Sequence, residues 1–225
     1  MFEYKLKYGK RRTIAVSVRG GEVIVHVPEA YAYSATIRRR TEEFLRLKSA
    51  WIERKLAEER TATEECLPGL SRHKTPYLFG TVLPVVQFDG KSAKFDGKTL
   101  FVPAVSTADA LNDALIRWYK RYAKTALEKR LSAISAQCGI KYNSFGITSA
   151  RRKWGSCSSS GKVLLNYRLV VLPMRLVDYV ILHELCHMKV LDHSAAFWAN
   201  LAAFMPDYKM RRKELKNYGF VMDAV

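Results

Sequence analysis

Apolar and polar residues alternate strictly near the start of the chain. Thr13-Ile14-Ala15-Val16-Ser17-Val18 and Glu22-Val23-Ile24-Val25-His26-Val27 both repeat every second position, the period of a half-buried strand. Arg19-Gly20-Gly21 between them is a turn signal, so residues 3–27 are predicted to form short antiparallel strands closed by Pro28. The period then lengthens. Ile37, Phe44, Leu45, Leu47, Trp51, Ile52 and Leu56 gather on one side of a predicted helix, capped by Ser34 and running to about Glu59. The polar stretch 61–75, with Pro68-Gly69, reads as a loop.

Alternation returns in Tyr77-Leu78-Phe79, Leu83–Phe88, Ser92–Phe95 and Thr99–Val102, with Asp89-Gly90 and Asp96-Gly97 as hairpin turns. Thr107 or Asp109 starts a second long helix that ends near Gly139. Residues 144–171 are strand-like, punctuated by Gly155 and Gly161. Pro173 suits the first turn of a helix reaching about Leu191. Ser194 caps the next, which stops at Met205-Pro206, and a basic helix covers Tyr208–Tyr218 up to Gly219. The predicted class is α+β, with a strand-rich N-terminal lobe carrying one long helix (1–105) and a catalytic domain (106–225).

Composition narrows the picture. With 38 basic and 21 acidic residues the chain carries +17, spread along its length rather than in one tail. Such a charge favours polyanions, nucleic acid or nucleotides among them, and equally serves as plain solubility charge. No apolar run approaches the roughly 20 residues that a membrane span needs. Met1-Phe2-Glu3-Tyr4-Lys5 has no apolar leader core, so a cytoplasmic protein is expected. Cys66, Cys138, Cys157 and Cys186 show no C-x-x-C spacing and read as free thiols.

The chemistry concentrates in the last third. His183-Glu184-Leu185-Cys186-His187 fits H-E-x-x-H on a helix whose other face, Val177, Val180, Ile181, Leu182 and Leu185, is apolar. Residues four apart lie one turn above each other, so both imidazoles can reach one ion at about 2.0–2.1 Å. Glu184, beside the first ligand, can act on water as general base without binding the metal. A catalytic zinc takes three protein ligands and keeps a position for water, and His193, six residues after His187, supplies the third. Three of the five histidines thus fall within eleven residues. Asp207 and Glu214 are the alternative third ligands, in the gluzincin manner. Val190 stands where metzincins have glycine.

Several segments then resemble one family. They are Arg152-Lys153-Trp154-Gly155-Ser156-Cys157-Ser158, Leu165-Asn166-Tyr167-Arg168-Leu169, Val180-Ile181-Leu182-His183-Glu184-Leu185-Cys186-His187, His193-Ser194-Ala195-Ala196-Phe197-Trp198 and Pro206-Asp207-Tyr208-Lys209. Together they look like the YgjP-like metal-dependent hydrolases, relatives of the SprT and WLM zincins. The likeness is dense over residues 150–219 and rests on pattern before them. It implies a site on His183, His187 and His193 and a zincin-like metallopeptidase fold with an edge strand above the metal. That strand would be the one before Trp154 or the one from Val163 to Arg168.

Around this core the sequence offers further candidates. Tyr208, Tyr167, Arg168 and Arg212 are candidate contacts to a developing oxyanion, and Trp154-Gly155-Ser156-Cys157 a candidate groove wall. Cys186 reads as a small core residue, and Phe197, Trp198, Leu201 and Phe204 as a core stripe. The expected activity is hydrolysis with one Zn2+ ion per chain, on a peptide or protein substrate. The rivals are a nucleotide phosphohydrolase, favoured by the charge, and a nucleic-acid-binding module with a structural zinc completed by Cys157. A peptidase acting on nucleic-acid-bound proteins would combine two of these.

Overall fold

The two alternating segments pair as the hairpin their turn predicts. β2 (Ala15–Arg19) is antiparallel to β3 (Glu22–Pro28), with Val18 opposite Val23 and Val16 opposite Val25. β1 (Tyr4–Gly9) lies on the other side of β3 and runs parallel to it, Leu6 opposite Val25, not antiparallel as expected. The third strand has inserted between the first two, which run in opposite directions, so it is antiparallel to β2 and parallel to β1. The structure, a computed structural model, describes residues 2–31, 35–70 and 75–225. Ser34, the expected cap, and His73 lie outside them.

The chain divides into two compact units, Met1–Pro68 and Gly69–Val225. In the first, α1 (Ala35–Cys66) presents Ile37, Leu45 and Ile52 to Val23, Val25 and Val27 of the sheet, all buried. Their spacing of seven or eight keeps one helical face toward the sheet. The helix runs past Glu59 into the stretch expected as loop. There the Thr63 side chain donates to Glu59 O (2.8 Å) and Leu67 N to Thr63 O (3.1 Å), continuing the turn.

The second unit opens with β4 (Tyr77–Leu78) and β5 (Thr81–Val82), then a sheet of β6 (Val85–Phe88), β7 (Lys94–Phe95) and β8 (Leu100–Pro103). β8 is central, parallel to β6 and antiparallel to β7. Asp96-Gly97 makes the expected β7–β8 turn, its carboxylate accepting from Lys98 N and Thr99 N at 2.8 Å each. Asp89-Gly90 does not join paired strands. α2 (Ala108–Cys138) begins at Thr107, whose hydroxyl accepts from Ala110 N (3.2 Å), and stops at Gly139 with φ 64°. That left-handed conformation suits glycine. Tyr119 of α2 closes a reciprocal pair with Tyr77, donating to its carbonyl (2.9 Å) and accepting from its N–H (3.0 Å).

The third sheet carries the site. β11 (Lys162–Asn166) is central, antiparallel to β10 (Gly155–Cys157) and parallel to β9 (Ser144–Thr148). The segment Val163–Arg168 is therefore not an edge strand: its first half is the middle of the sheet and its end begins a 3-10 turn (Tyr167–Val171). The edges are β9, the strand before Trp154, and β10, which packs on α3 (Met174–Cys186). The apolar run Leu169–Leu172 is wholly buried. Among the described residues no helix is long and apolar enough to cross a membrane.

α3 is shorter than expected. It ends at Cys186, and turn bonds from Met188, Lys189 and Val190 to the carbonyls of Leu185 and Cys186 close it before Leu191. Pro173 stands just before its first turn, at the N-cap. α4 (Ala195–Phe204), α5 (Tyr208–Asn217) and α6 (Val221–Ala224) complete the unit.

Candidate metal centre

α3 buries most of its residues, while His183 and His187 stay partly exposed near its C-terminal end and Arg175 is exposed near its start. Val177, Val180, Ile181, Leu182, Leu185 and Cys186 are all in the core, as the apolar pattern and the small thiol predict. His183 and His187 stand one turn apart, the second at the C-cap, with ring centroids 5.0 Å apart. The turn 188–193 then folds back and brings His193 to both, at 4.9 and 4.8 Å between centroids. One nitrogen from each ring lies within 4.8 Å of the others. Among the described residues this is the one group of histidine, cysteine or acidic side chains so arranged. Asp207 pairs instead with Arg211 (2.8 Å) and Glu214 with Arg175, so neither gluzincin alternative joins.

The donor set fits a cation of zinc type. The Nδ1 of His187 lies 3.0 Å from the Val190 carbonyl, which can only accept, so Nδ1 donates there and Nε2 is the nitrogen left to bind a metal. The Nε2 atoms of His183 and His193 face each other at 3.0 Å, and Nδ1 of His183 is buried without a partner. Burial, and then the neighbouring His187, His193 and Arg212, hold His183 down at about 3. His193 is lowered for the same kinds of reason. Neutral imidazoles are the form that binds metal. Phe197, fully buried, packs against all three rings at 4.5–4.9 Å and fixes the pocket floor.

Glu184 is 6% exposed, and burial raises its carboxyl to about 7, opposed by the Lys153 charge. Its space is made by Gly155: a Cβ there would sit 2.7 Å from Glu184 Oε1 and 2.8 Å from its Cγ. The edge strand β10 thus runs directly over the carboxylate. Its position is set by Asn166, wholly buried, which donates to Ala150 O (2.6 Å) and Lys153 O (2.9 Å) and accepts from Arg168 N (3.1 Å). Asn166 N also donates to Trp154 O (2.8 Å). Trp154, half-buried, leads into the strand, which makes 154–157 a strand entry rather than a turn.

The remaining candidates separate. Tyr167 and Arg168 turn away, both donating to Val225 O at 3.1 and 2.5 Å, with the guanidinium 4.5 Å over the tyrosine ring. Tyr208 and Arg212 do approach, through Trp198. That ring stacks on His193 (5.5 Å) and on Tyr208 (5.5 Å), and Arg212 lies 4.5 Å over it. Trp198 and Phe204 are therefore not the core residues expected. Trp198 is half-exposed at the site and Phe204 is 39% exposed, while Phe197 and Leu201 are buried. Cys157 stays outside the histidine group, its thiol 3.7 Å from Met188 Sδ.

Sequence reasoning missed Tyr179, although its spacing was visible. It stands four residues before His183, so the helix stacks Tyr179, His183 and His187 on one face. Burial pushes its phenol up to about 12, Arg212 pulling the other way, so it remains a neutral O–H donor.

Comparison with known proteins adds the following. Residues 12–218 match the sequence model of a family described as YgjP-like, metallopeptidase domain. Among solved structures, the crystal structure of the metallopeptidase zymogen of Pyrococcus abyssi abylysin is similar at 21% identity and a TM-score of 0.37. That match covers 40% of this chain and 90% of the other. No curated protein matches the chain.

Proposed function

The chain belongs to the YgjP-like metallopeptidase family, and from that premise we propose that it is a zinc-dependent hydrolase that cleaves peptide bonds. The observation carrying this reading is the convergence of three imidazoles beside one buried carboxylate. His183, His187 and His193 would hold the ion. A zinc ion in that place supplies Lewis acidity, which acidifies water and polarises a carbonyl.

The protein's own groups account for the rest. The Val190 carbonyl fixes the tautomer and orientation of His187. Glu184 takes a proton from water and delivers it to the leaving amine, and a carboxyl near 7 is suited to both halves of that transfer. Tyr179, a neutral phenol whose ring lies 5.9 Å from that of His183, would serve as a hydrogen-bond donor beside the metal. β10, an edge strand beside Glu184, offers unpaired backbone to an extended peptide.

The test has two parts. Metal analysis is expected to find about one zinc per wild-type chain and a sharp loss in His193→Ala. Casein-type substrates should be cleaved by wild type, and Glu184→Gln should lose about 100-fold or more of that rate while keeping its metal. Unchanged metal in His193→Ala removes that ligand. The charge of +17 favours one rival, a metal-dependent phosphohydrolase acting on nucleotides. Release of pyrophosphate from nucleoside triphosphates without proteolysis would decide for it.

A further inference from the structure

Arg212 is a cation at the site that, among the described residues, forms no ion pair. Its neighbours are engaged: Arg211 with Asp207 and with Arg175 O (2.9 Å), and Arg175 with Glu214 (3.1 Å). These contacts pin α5 against α3 and so hold Arg212 in place. Arg212 itself is exposed, and among the described residues its guanidinium meets the face of Trp198 and no carboxylate. Stacking on a ring uses the flat face of the guanidinium and leaves its N–H edge free to donate.

The location matters as much as the lack of a partner. Trp198 stacks on His193 and lies 6.0 Å from His183, so Arg212 stands one ring away from the metal cluster. Its charge is felt at His183, His193 and Tyr179. Lys153, exposed before β10, acts on Glu184 from the strand side. The acids around the site are already occupied or buried. Asp192 accepts from Ser194 N (3.1 Å), Asp207 and Glu214 are in ion pairs, and Glu184 is buried. Arg212 and Lys153 therefore bring positive charge to the site from the helix side and the strand side, with the exposed Asp192 carboxylate beside His193 as the opposing charge.

We propose that Arg212 is a specificity-determining residue that receives a carboxylate of the peptide substrate, from an acidic side chain or a free C-terminus, close to the scissile bond. This rests on the peptidase reading and names its substrate class. A planar fork of N–H donors held against a ring matches a carboxylate with two parallel hydrogen bonds and little loss of side-chain freedom.

The experiment uses labelled peptides identical except for one residue, Glu or Gln, each with a free or an amidated C-terminus. They are titrated by fluorescence anisotropy into full-length metal-loaded Glu184→Gln protein, with and without Arg212→Gln, and thermal melting verifies that each variant is folded. Carboxylate-bearing peptides are expected to bind roughly threefold or more tightly at low salt, the contrast shrinking as salt rises. Arg212→Gln should erase the contrast, and Arg212→Glu should turn it toward a lysine-bearing peptide. Whether the Glu/Gln or the free/amide contrast is the one erased identifies the source of the carboxylate. Absence of any contrast, absence of binding, or a contrast that survives Arg212→Gln overturns the proposal. Failure of wild type to cleave any of these peptides would instead sink the peptidase reading, while the anisotropy contrast judges Arg212 separately.

Discussion

Gly155 and Glu184 occupy space that only one of them can extend into. Adding a single methyl at 155 places carbon 2.7 Å from the carboxylate oxygen, closer than side chains tolerate, so the glutamate must rotate away. Gly155→Ala is expected to keep its zinc, because the histidines are untouched, and to lose about 10- to 100-fold in kcat through misplacement of the base. Parallel metal analysis and steady-state kinetics check this, and full activity in the variant would contradict it. The same burial has a consequence for stability. With metal chelated, the folded chain holds the Glu184 proton up to about 7, against an ordinary 4.5. Between those values this carboxyl is more protonated in the native state than in the unfolded one, so its contribution to stability is fully present below about 4.5 and is lost as pH rises through about 7. Glu184→Gln removes that loss. In EDTA the variant should melt above wild type at pH 8 and level with it near pH 4.5. His183, held down at about 3, acts with the opposite sign, its share being lost as pH falls from 6.5, but it is common to both proteins and cancels. A gap of equal size at both pH values would refute the argument.

At the level of elements, one arrangement recurs. In each three-stranded sheet the third strand in sequence inserts between the first two, antiparallel to its immediate predecessor and parallel to the first: β1-β3-β2, β6-β8-β7 and β9-β11-β10. In the last of these the insertion leaves β10 at the edge, above the Glu184 carboxylate. Asn166, at the end of the central strand, ties the loop before β10 to the sheet with two side-chain hydrogen bonds to backbone carbonyls. Asn166→Ala takes the donor from those part-buried carbonyls and is expected to cost about 1–3 kcal/mol, read as a lowered melting temperature. Activity should fall further than metal content, because the loop leads to β10 and not to the histidines. A variant as stable as wild type would show that the loop is held by other means. The alternation of Thr13–Val18 and Glu22–Val27, and the Asp96-Gly97 turn, made two of these hairpins readable in sequence. The insertion was not readable, since alternation states which face a residue takes and says nothing of which strand lies beside it.

For the whole molecule, the division at Pro68 assigns the entire candidate site to the second unit. Strands 77–103 belong with it: Phe79 N and Gly80 N donate to Val170 O and Val171 O (2.6 and 3.1 Å), and Tyr77 is locked to Tyr119. A fragment of residues 69–225 is therefore expected to fold cooperatively and bind metal. One beginning at 106 loses those partners, leaves the buried carbonyls of the 3-10 turn open, and should expose apolar surface. Circular dichroism melts and zinc content of the two fragments test this, and equal behaviour would show the strands to be dispensable.

The sequence by itself determined the local chemistry and its carrier. H-E-x-x-H at helical spacing, a third histidine six residues on, and an apolar remainder of the helix put two imidazoles on one face, because residues four apart in a helix are neighbours whatever the rest of the chain does. Tertiary structure alone decided which distant groups share that space: the glycine that admits the base, the asparagine that sets the edge strand, and the tryptophan that carries Arg212 to the metal side. Those contacts join residues 5 to 29 positions apart, and no periodicity along a chain encodes which surfaces meet once its apolar faces have been buried against each other.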